Sequence, residues 1–216
     1  KYKEQGTWEQ NYKKINTKEV YFLPSVNVKY GLTDKMNLRL AGSQTYTKPV
    51  IMEAFPIQIV NPDGTVFQGN PLLKNSKNTN ADLKFEYFPT NKELLAIGVF
   101  GKRIDNPIEK TFLANSGATI TTFLNSDYAN IIGFEAEFIV GLDRISEKLK
   151  DFSWGFNTSI MQTKVIVPEK VVDPNGNLTT SLETHKERNL QGASKWLINS
   201  DLKYQFNINK NWSNTI

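Results

Sequence analysis

Cysteine is absent from the chain, histidine occurs once, and no stretch approaches the roughly 18 consecutive apolar residues of a membrane-spanning helix. Without cysteine there are no disulfide frameworks, thiolate metal sites or cysteine nucleophiles. The same absence suits a protein that crosses an oxidising periplasm unfolded. The lone His185 cannot complete a triad with a cysteine, and no Gly-x-Ser-x-Gly element is present. It reads as a solvated loop residue. Lacking long apolar runs, the chain is not a helical membrane protein; a transmembrane β-barrel stays open, because only alternate strand residues face lipid there. Charge of one sign is also scarce: 26 Lys+Arg stand against 22 Asp+Glu, a formal net charge of +4 over 216 residues. These charges are dispersed, and a nucleic-acid footprint needs a clustered basic stripe, so nucleic acid is not an expected partner.

What is present is alternation with period two. Residues 80–104 read as a hairpin: Leu83, Phe85 and Tyr87 alternate with Asp82, Lys84 and Glu86, a polar break follows, then Leu95, Ile97 and Val99 alternate with Ala96 and Gly98. The same pairing occurs at 22–32 with 36–47, and at 128–142 with 152–163; a last run covers 194–207. Long polar connections span 48–79, 105–127 and 166–192, the first with little periodicity and the third carrying a turn at Asp173-Pro174-Asn175-Gly176 that reads as the tip of a small hairpin. Residues 145–149 could form a helical turn, and no partner strand is expected after a break near Asn207. Both ends look cut, so the chain reads as a fragment.

About seven strands of ten or more residues, joined alternately by short turns and long loops, distinguish two architectures. Soluble sandwich strands usually run five or six residues, whereas a tilted strand crossing a bilayer needs 9–11. Outer-membrane barrels combine short periplasmic turns with long extracellular loops. The expected fold is therefore all-β: a transmembrane antiparallel β-barrel fragment forming one partial barrel domain over 1–216. Aromatics agree with two interfacial girdles: Tyr30, Tyr87, Phe88, Phe152, Trp154, Tyr204, Phe206 and Trp212 near short turns, Tyr46 and Tyr128 near long loops. On the other face lie Arg39, Asp82, Lys84, Glu86, Glu135, Glu137, Asp201 and Lys203. Charges cannot face lipid cheaply, so they are expected to line a wet or plugged lumen. Seven strands cannot close around such a lumen, and further strands are expected elsewhere in a parent chain.

The sequence resembles the barrel of TonB-dependent outer-membrane receptors. The resemblance rests on Leu23-Pro24-Ser25 opening a strand, Thr45-Tyr46-Thr47-Lys48-Pro49 leading into a long loop, and Gly69-Asn70-Pro71-Leu72-Leu73-Lys74 before the next strand. Asn106-Pro107-Ile108-Glu109, Gly133-Phe134-Glu135 and Leu190-Gln191-Gly192-Ala193-Ser194 follow in order, so it spans roughly residues 19–207. It implies a 22-stranded barrel filled by an N-terminal plug, taking up a ligand with energy delivered through the TonB complex. Expected partners are that complex, through a region not in this chain, the imported ligand, outer-membrane lipid and a possible surface lipoprotein. The expected location is the Gram-negative outer membrane. No TonB box, plug or aromatic-ended terminal strand is seen, which fits a piece of the C-terminal half of the barrel. No enzyme activity and no cofactor is expected.

Ligand contacts are expected in the three long loops, because a rigid barrel holds their ends. Lys48, Glu53, Lys110, His185, Lys186 and Arg188 are the candidates, each equally readable as a charge that only solvates its loop. Two turns resemble calcium loops at their start, but position twelve is Thr184 in one and Leu72 in the other, not the bidentate Glu. Glu135 and Glu137 lie on one strand face at about 7 Å, within glycosidase range; their place in a repeating polar face argues for lumen charges. The alternatives are a soluble or surface-attached glycan-binding or adhesive β module, whose apolar face a second sheet would bury, and a passive porin.

Overall fold

The period-two segments assemble into one long antiparallel sheet. The computed structural model describes residues 20–115, 118–180, 185–209 and 212–215. Its strands are β1 (Ser25–Thr33), β2 (Met36–Thr47), β3 (Gln58–Val60), β4 (Val66–Gln68), β5 (Ser76–Tyr87), β6 (Leu94–Asp105), β7 (Ile108–Asn115) and β8 (Ala118–Asn125), then β9 (Tyr128–Gly141), β10 (Phe152–Ile166), β11 (Lys170–Val172), β12 (Leu178–Thr180), β13 (Glu187–Arg188), β14 (Trp196–Asn209) and β15 (Trp212–Thr215). One helical turn, α1 (Ile51–Ala54), precedes β3. The large sheet runs β1-β2-β5-β6-β9-β10-β14-β15, with β13 added to β10, and is open at β1 and β15. Among the described residues no helix is long and apolar enough to cross a membrane.

Register gives the sheet two chemically opposite faces, because residues directly paired across strands share a face. One row runs Val28, Leu40, Leu83, Val99, Phe134, Ile160 and Trp196 across seven strands. Val99 is 51% exposed and Trp196 61% exposed, and no second sheet covers them among the described residues. On β9 the apolar stretch from Ile132 to Val140 is ~27 Å along the strand, or ~21 Å at a tilt of about 40°, close to the ~25 Å band of outer-membrane barrels. The row behind the first reads Lys29, Arg39, Lys84, Gly98, Glu135, Ser159 and Leu197. Rings cluster near the short turns: Phe138 stacks on Phe156 at 5.0 Å, Phe152 on Tyr204 at 4.6 Å, and Tyr204 on Phe206 at 5.5 Å. The Trp212 ring and Thr184 lie outside the described side chains and residues.

The long connections depart from the sequence reading. Residues 48–79 are not aperiodic throughout: they hold α1, β3 and β4, and β5 already begins at Ser76. Residues 105–127 contain the β7–β8 hairpin, and β10 extends to Ile166; the small hairpin expected around Asp173-Pro174-Asn175-Gly176 is present as β11–β12, with Gly176 at φ +92° at its tip. The helical turn expected at 145–149 is split into two 3-10 turns, Leu142–Arg144 and Glu147–Leu149. No strand was expected after residue 207, yet β14 continues to Asn209 and β15 pairs with it, Phe206 opposite Asn214. β3, β4, β11, β12 and β15 have only three or four residues each, too few for an amphipathic period, and are held by pairing with their neighbours.

A second, four-stranded sheet of order β3-β4-β8-β7 stands on the long-loop end. Its centre is a parallel pairing of β4 with β8, Val66 opposite Ile120, which joins the first long loop to the second. Small cores lie beneath it: Leu113, Leu124 and Val171, and separately Ala129, Val165 and Val167 with Ile104 and Leu190. Ile104, Ala129 and Val165 belong to the polar-face register. The loops therefore fold over that side, while on the opposite face of the same strand ends Tyr21 stacks on Tyr46 at 4.6 Å and Arg103 lies over Tyr128 at 4.4 Å.

Candidate functional site: the polar face and the loop layer

Strand alternation places all eight charged residues read from the sequence on one face of the large sheet. Arg39 Nε donates to Glu86 Oε1 at 2.8 Å, and Lys84 Nζ to Glu137 Oε2 at 2.9 Å. Lys203 lies 3.4 Å from Asp201 on its own strand. Pairs this exposed contribute roughly 0–1 kcal/mol each. Glu86 is different: its side chain is 9% exposed, so loss of Arg39 would leave a desolvated carboxylate. Asp82 and Glu135 are exposed and make no ion pair among the described residues. A Cβ at Gly133 would run into the Phe100 ring, so the glycine makes room for an aromatic that crosses the polar face between charged neighbours.

At the short-turn end a cavity of about 450 Å³ is lined by Glu93, Arg144, Lys150 and Lys203, among others. Glu93 accepts from Arg144 Nε at 2.6 Å and Nη2 at 2.8 Å, from the Thr90 hydroxyl at 3.2 Å and the Gly141 amide at 3.4 Å. The Arg144 hydrogen bonds hold the Glu93 carboxyl down at about 2. This clamp ties the β5–β6 turn to the β9–β10 turn. Sequence reasoning missed it, since the partners lie 51 residues apart and no spacing signals the pair.

At the other end, side-chain amides stitch the three long loops together. Asn125 Nδ2 donates to the Lys74 carbonyl at 3.0 Å and the Asn106 carbonyl at 2.9 Å, and its Oδ1 accepts from the Lys74 amide at 2.7 Å. Buried Asn70 donates to the Phe123 carbonyl at 2.9 Å, and Thr122 Oγ1 to the Gln68 carbonyl at 2.7 Å. Gln191 brackets the backbone of Lys110, accepting from its amide at 3.1 Å and donating to its carbonyl at 2.9 Å. A Cβ at Gly69 would run into the Phe55 carbonyl, so this position needs the bare backbone.

The family model for the TonB dependent receptor-like, beta-barrel domain matches residues 2–216. The chain belongs to the TonB-dependent receptor β-barrel family. Among solved structures it is similar to the siderophore receptor PirA from Pseudomonas aeruginosa, at TM-score 0.57 and 16% identity, covering 84% of this chain and 30% of that one. It is also similar to the siderophore receptor PirA from Acinetobacter baumannii, at TM-score 0.53 and 20% identity over 87% and 27% of the two chains. A third likeness is to a ferric enterobactin receptor mutant from Pseudomonas aeruginosa in complex with enterobactin, at TM-score 0.51 and 19% identity over 84% and 25%. At these identities the likeness shows the fold. The chain spans about a quarter to a third of those structures' lengths. No curated protein matches it. Barrels of the TonB-dependent receptor family lie in the Gram-negative outer membrane, and the family is one of transport receptors rather than enzymes.

Within this receptor fold the six loop candidates have distinct settings. Lys48 is exposed, its ammonium 5.6 Å from the Tyr46 ring centroid. Glu53 Oε2 accepts from the Val50 amide at 2.9 Å, capping α1, and its carbonyl accepts from the Asn70 amide at 2.6 Å. Lys110 is exposed on a backbone fixed by Gln191. His185 is exposed, and Lys186 lies 3.7 Å from Glu169. Arg188 Nη1 lies 2.7 Å from Glu109 Oε2, with both side chains mostly covered. Glu109 and Gln191 thus bring Lys110 and Arg188 together where the second and third loops meet; Lys48 stands apart at the outward rim. Among the described residues no cluster of three or more His, Cys, Asp or Glu could hold a metal ion.

Proposed function

We propose that the chain is part of the barrel wall of an outer-membrane receptor whose parent imports a scarce or bulky ligand with energy supplied through TonB. The observation that carries this reading is the exposed apolar row crossing seven strands, backed by a charged row on the opposite face, in a chain matched throughout by the receptor-barrel family. The apolar face meets lipid. The face with Arg39, Asp82, Lys84, Glu86, Glu135, Glu137, Asp201 and Lys203 lines the lumen, against a plug and further strands supplied by the rest of the parent. A sheet this size, open at two edges, supplies part of a wall and not a pathway.

Ligand class is an iron chelate, a cobalamin-like cofactor, an oligosaccharide or a peptide; the siderophore receptors among its structural neighbours favour testing chelates first. Recognition falls to the stitched loop layer, with Lys110, His185 and Lys186 exposed there and Glu53 and Arg188 holding its shape, while Lys48 is a separate candidate at the outward rim. The test is fractionation of the full-length parent with gel mobility before and after boiling, followed by uptake of labelled chelates in cells with and without TonB. Recovery in the outer membrane, a boiling-dependent shift and TonB-dependent uptake support the reading. A soluble protein with heat-insensitive mobility sinks it.

A further inference from the structure

All three long loops meet at one small cavity, of about 190 Å³, in the loop layer. The four-stranded sheet supplies its floor. Leu113 pairs with Ile120 and Ile120 with Val66, so these side chains share a face, and Gln68, two residues on from Val66, shares it too. The β11–β12 hairpin stands over that face: Val171 packs against Leu113 and Leu124, and Thr179, paired with Val171, points the same way. Gln68 Nε2 donates to Asn175 Oδ1 at 3.3 Å, which joins the first loop to the hairpin tip. The tip holds its own shape, because Asp173 Oδ1 accepts from the Asn175 and Asn177 amides at 2.9 and 2.7 Å, and its Oδ2 accepts from Asn177 Nδ2 at 3.2 Å. That leaves Gln68 Oε1, Asn175 Nδ2, Asn177 Oδ1 and the Thr179 hydroxyl without a hydrogen bond among the described residues. Leu178, at the cavity's edge, is 69% exposed. None of the six loop candidates read from the sequence is among the described lining residues.

We propose that this cavity binds one neutral sugar ring of the imported ligand. The proposal rests on the reading of the loop layer as the recognition surface, and it names the ligand's chemistry there. Sugar hydroxyls both donate and accept, and the free amide and hydroxyl groups of Gln68, Asn175, Asn177 and Thr179 offer both. Leu113 and Ile120 on the floor, with Leu178 at the edge, cover the C–H face of a ring. No described lining residue is basic, so a phosphate or an anionic chelate would find no counter-charge. The one charged side chain in the described lining, Asp173, is taken up by the tip itself, so an ammonium finds no free carboxylate. Size agrees: pockets for whole small ligands run to ~300–1,000 Å³, so about 190 Å³ takes an end group, one ring of an oligosaccharide.

The test uses the full-length parent in detergent, with boiling-dependent gel mobility as the check that each variant is folded. Binding is screened on an array of neutral, sulfated and uronic-acid oligosaccharides, with a ferric catecholate chelate and a tripeptide library alongside. The dissociation constant of the best neutral oligosaccharide is then measured by calorimetry. Neutral oligosaccharides should bind. Thr179→Val should weaken binding about three- to tenfold, the loss of one neutral hydrogen bond, and Gln68→Ala by at least as much. Thr179→Ser, which keeps the hydroxyl, and Lys92→Gln, in a short turn at the opposite end, should bind as wild type. Thr179→Trp, which fills the cavity, should abolish binding. A folded parent that binds no neutral sugar on the array, or binds only the chelate, an acidic glycan or a peptide, overturns the sugar site; so does sugar binding that a folded Thr179→Trp variant leaves unchanged. Those outcomes leave the barrel-wall reading intact. A parent with heat-insensitive mobility overturns that reading, and the sugar site with it.

Discussion

Replacing Glu93 with Gln should loosen two short turns at once, in a pH-dependent way. The Glu93 side chain is 5% exposed and receives both the Nε and the Nη2 of Arg144. Its carboxyl is lowered from 4.5 to about 2. Fully expressed, a shift of that size would be about 3.4 kcal/mol at 1.36 kcal/mol per unit. Arg144 is 58% exposed, so solvent screening cuts this to about 1–2 kcal/mol. The sign follows from the depressed value: the folded state favours ionised Glu93, so the stabilisation is whole above about 4.5 and fades as pH falls towards 2. Urea unfolding of the full-length parent in vesicles, followed by boiling-sensitive gel mobility, should show Glu93→Gln less stable by about 1–2 kcal/mol at pH 7. The gap between variant and wild type should close progressively below pH 4.5. A gap that is absent at pH 7, or that stays constant down to pH 2, would refute the charge-assisted clamp.

Leu83→Lys puts a cation on the exposed apolar row and should cost ~2–4 kcal/mol of insertion stability, read by the same unfolding assay. Asn125→Ala removes two hydrogen bonds between the first and second loops and one within the second; amide exchange at Lys74 and protease cleavage within 106–127 should rise while the wall keeps its boiling-dependent shift. Gly69→Ala forces a Cβ against the Phe55 carbonyl and should displace α1 from β4, at a cost of about 1–3 kcal/mol confined to the loop layer and visible as faster exchange at Asn70.

The wall was legible in the sequence because its signal is local. Leu83 to Tyr87 and Phe134 to Phe138 alternate strictly, and a one-residue slip would turn every charge to the apolar side. The loop layer was not legible, for the opposite reason. β3 and β4 have three residues each, too few for a period, and β4 finds β8 only after the β5–β6 hairpin has returned the chain to the same end; β11 and β12 are as short, but the Asp173-Pro174-Asn175-Gly176 turn between them signalled their hairpin. Asn70, Asn125 and Gln191 read as ordinary loop polarity in the sequence; their role lies in which carbonyls and amides they reach. Glu93 and Arg144 were equally silent, each unremarkable in its own turn.

The parallel β4–β8 pairing bears on how such a surface can change over generations. Segments 48–75 and 106–127 belong to different hairpins, yet they share bonds: a first segment of other length or path would move the Gln68 and Lys74 carbonyls away from Thr122 and Asn125. On the proposed function, a change of ligand preference would require both segments to change together. Chimeras that transplant both segments together should carry their donor's conformation, and single-segment transplants should lose it, however freely each varies at its exposed tip.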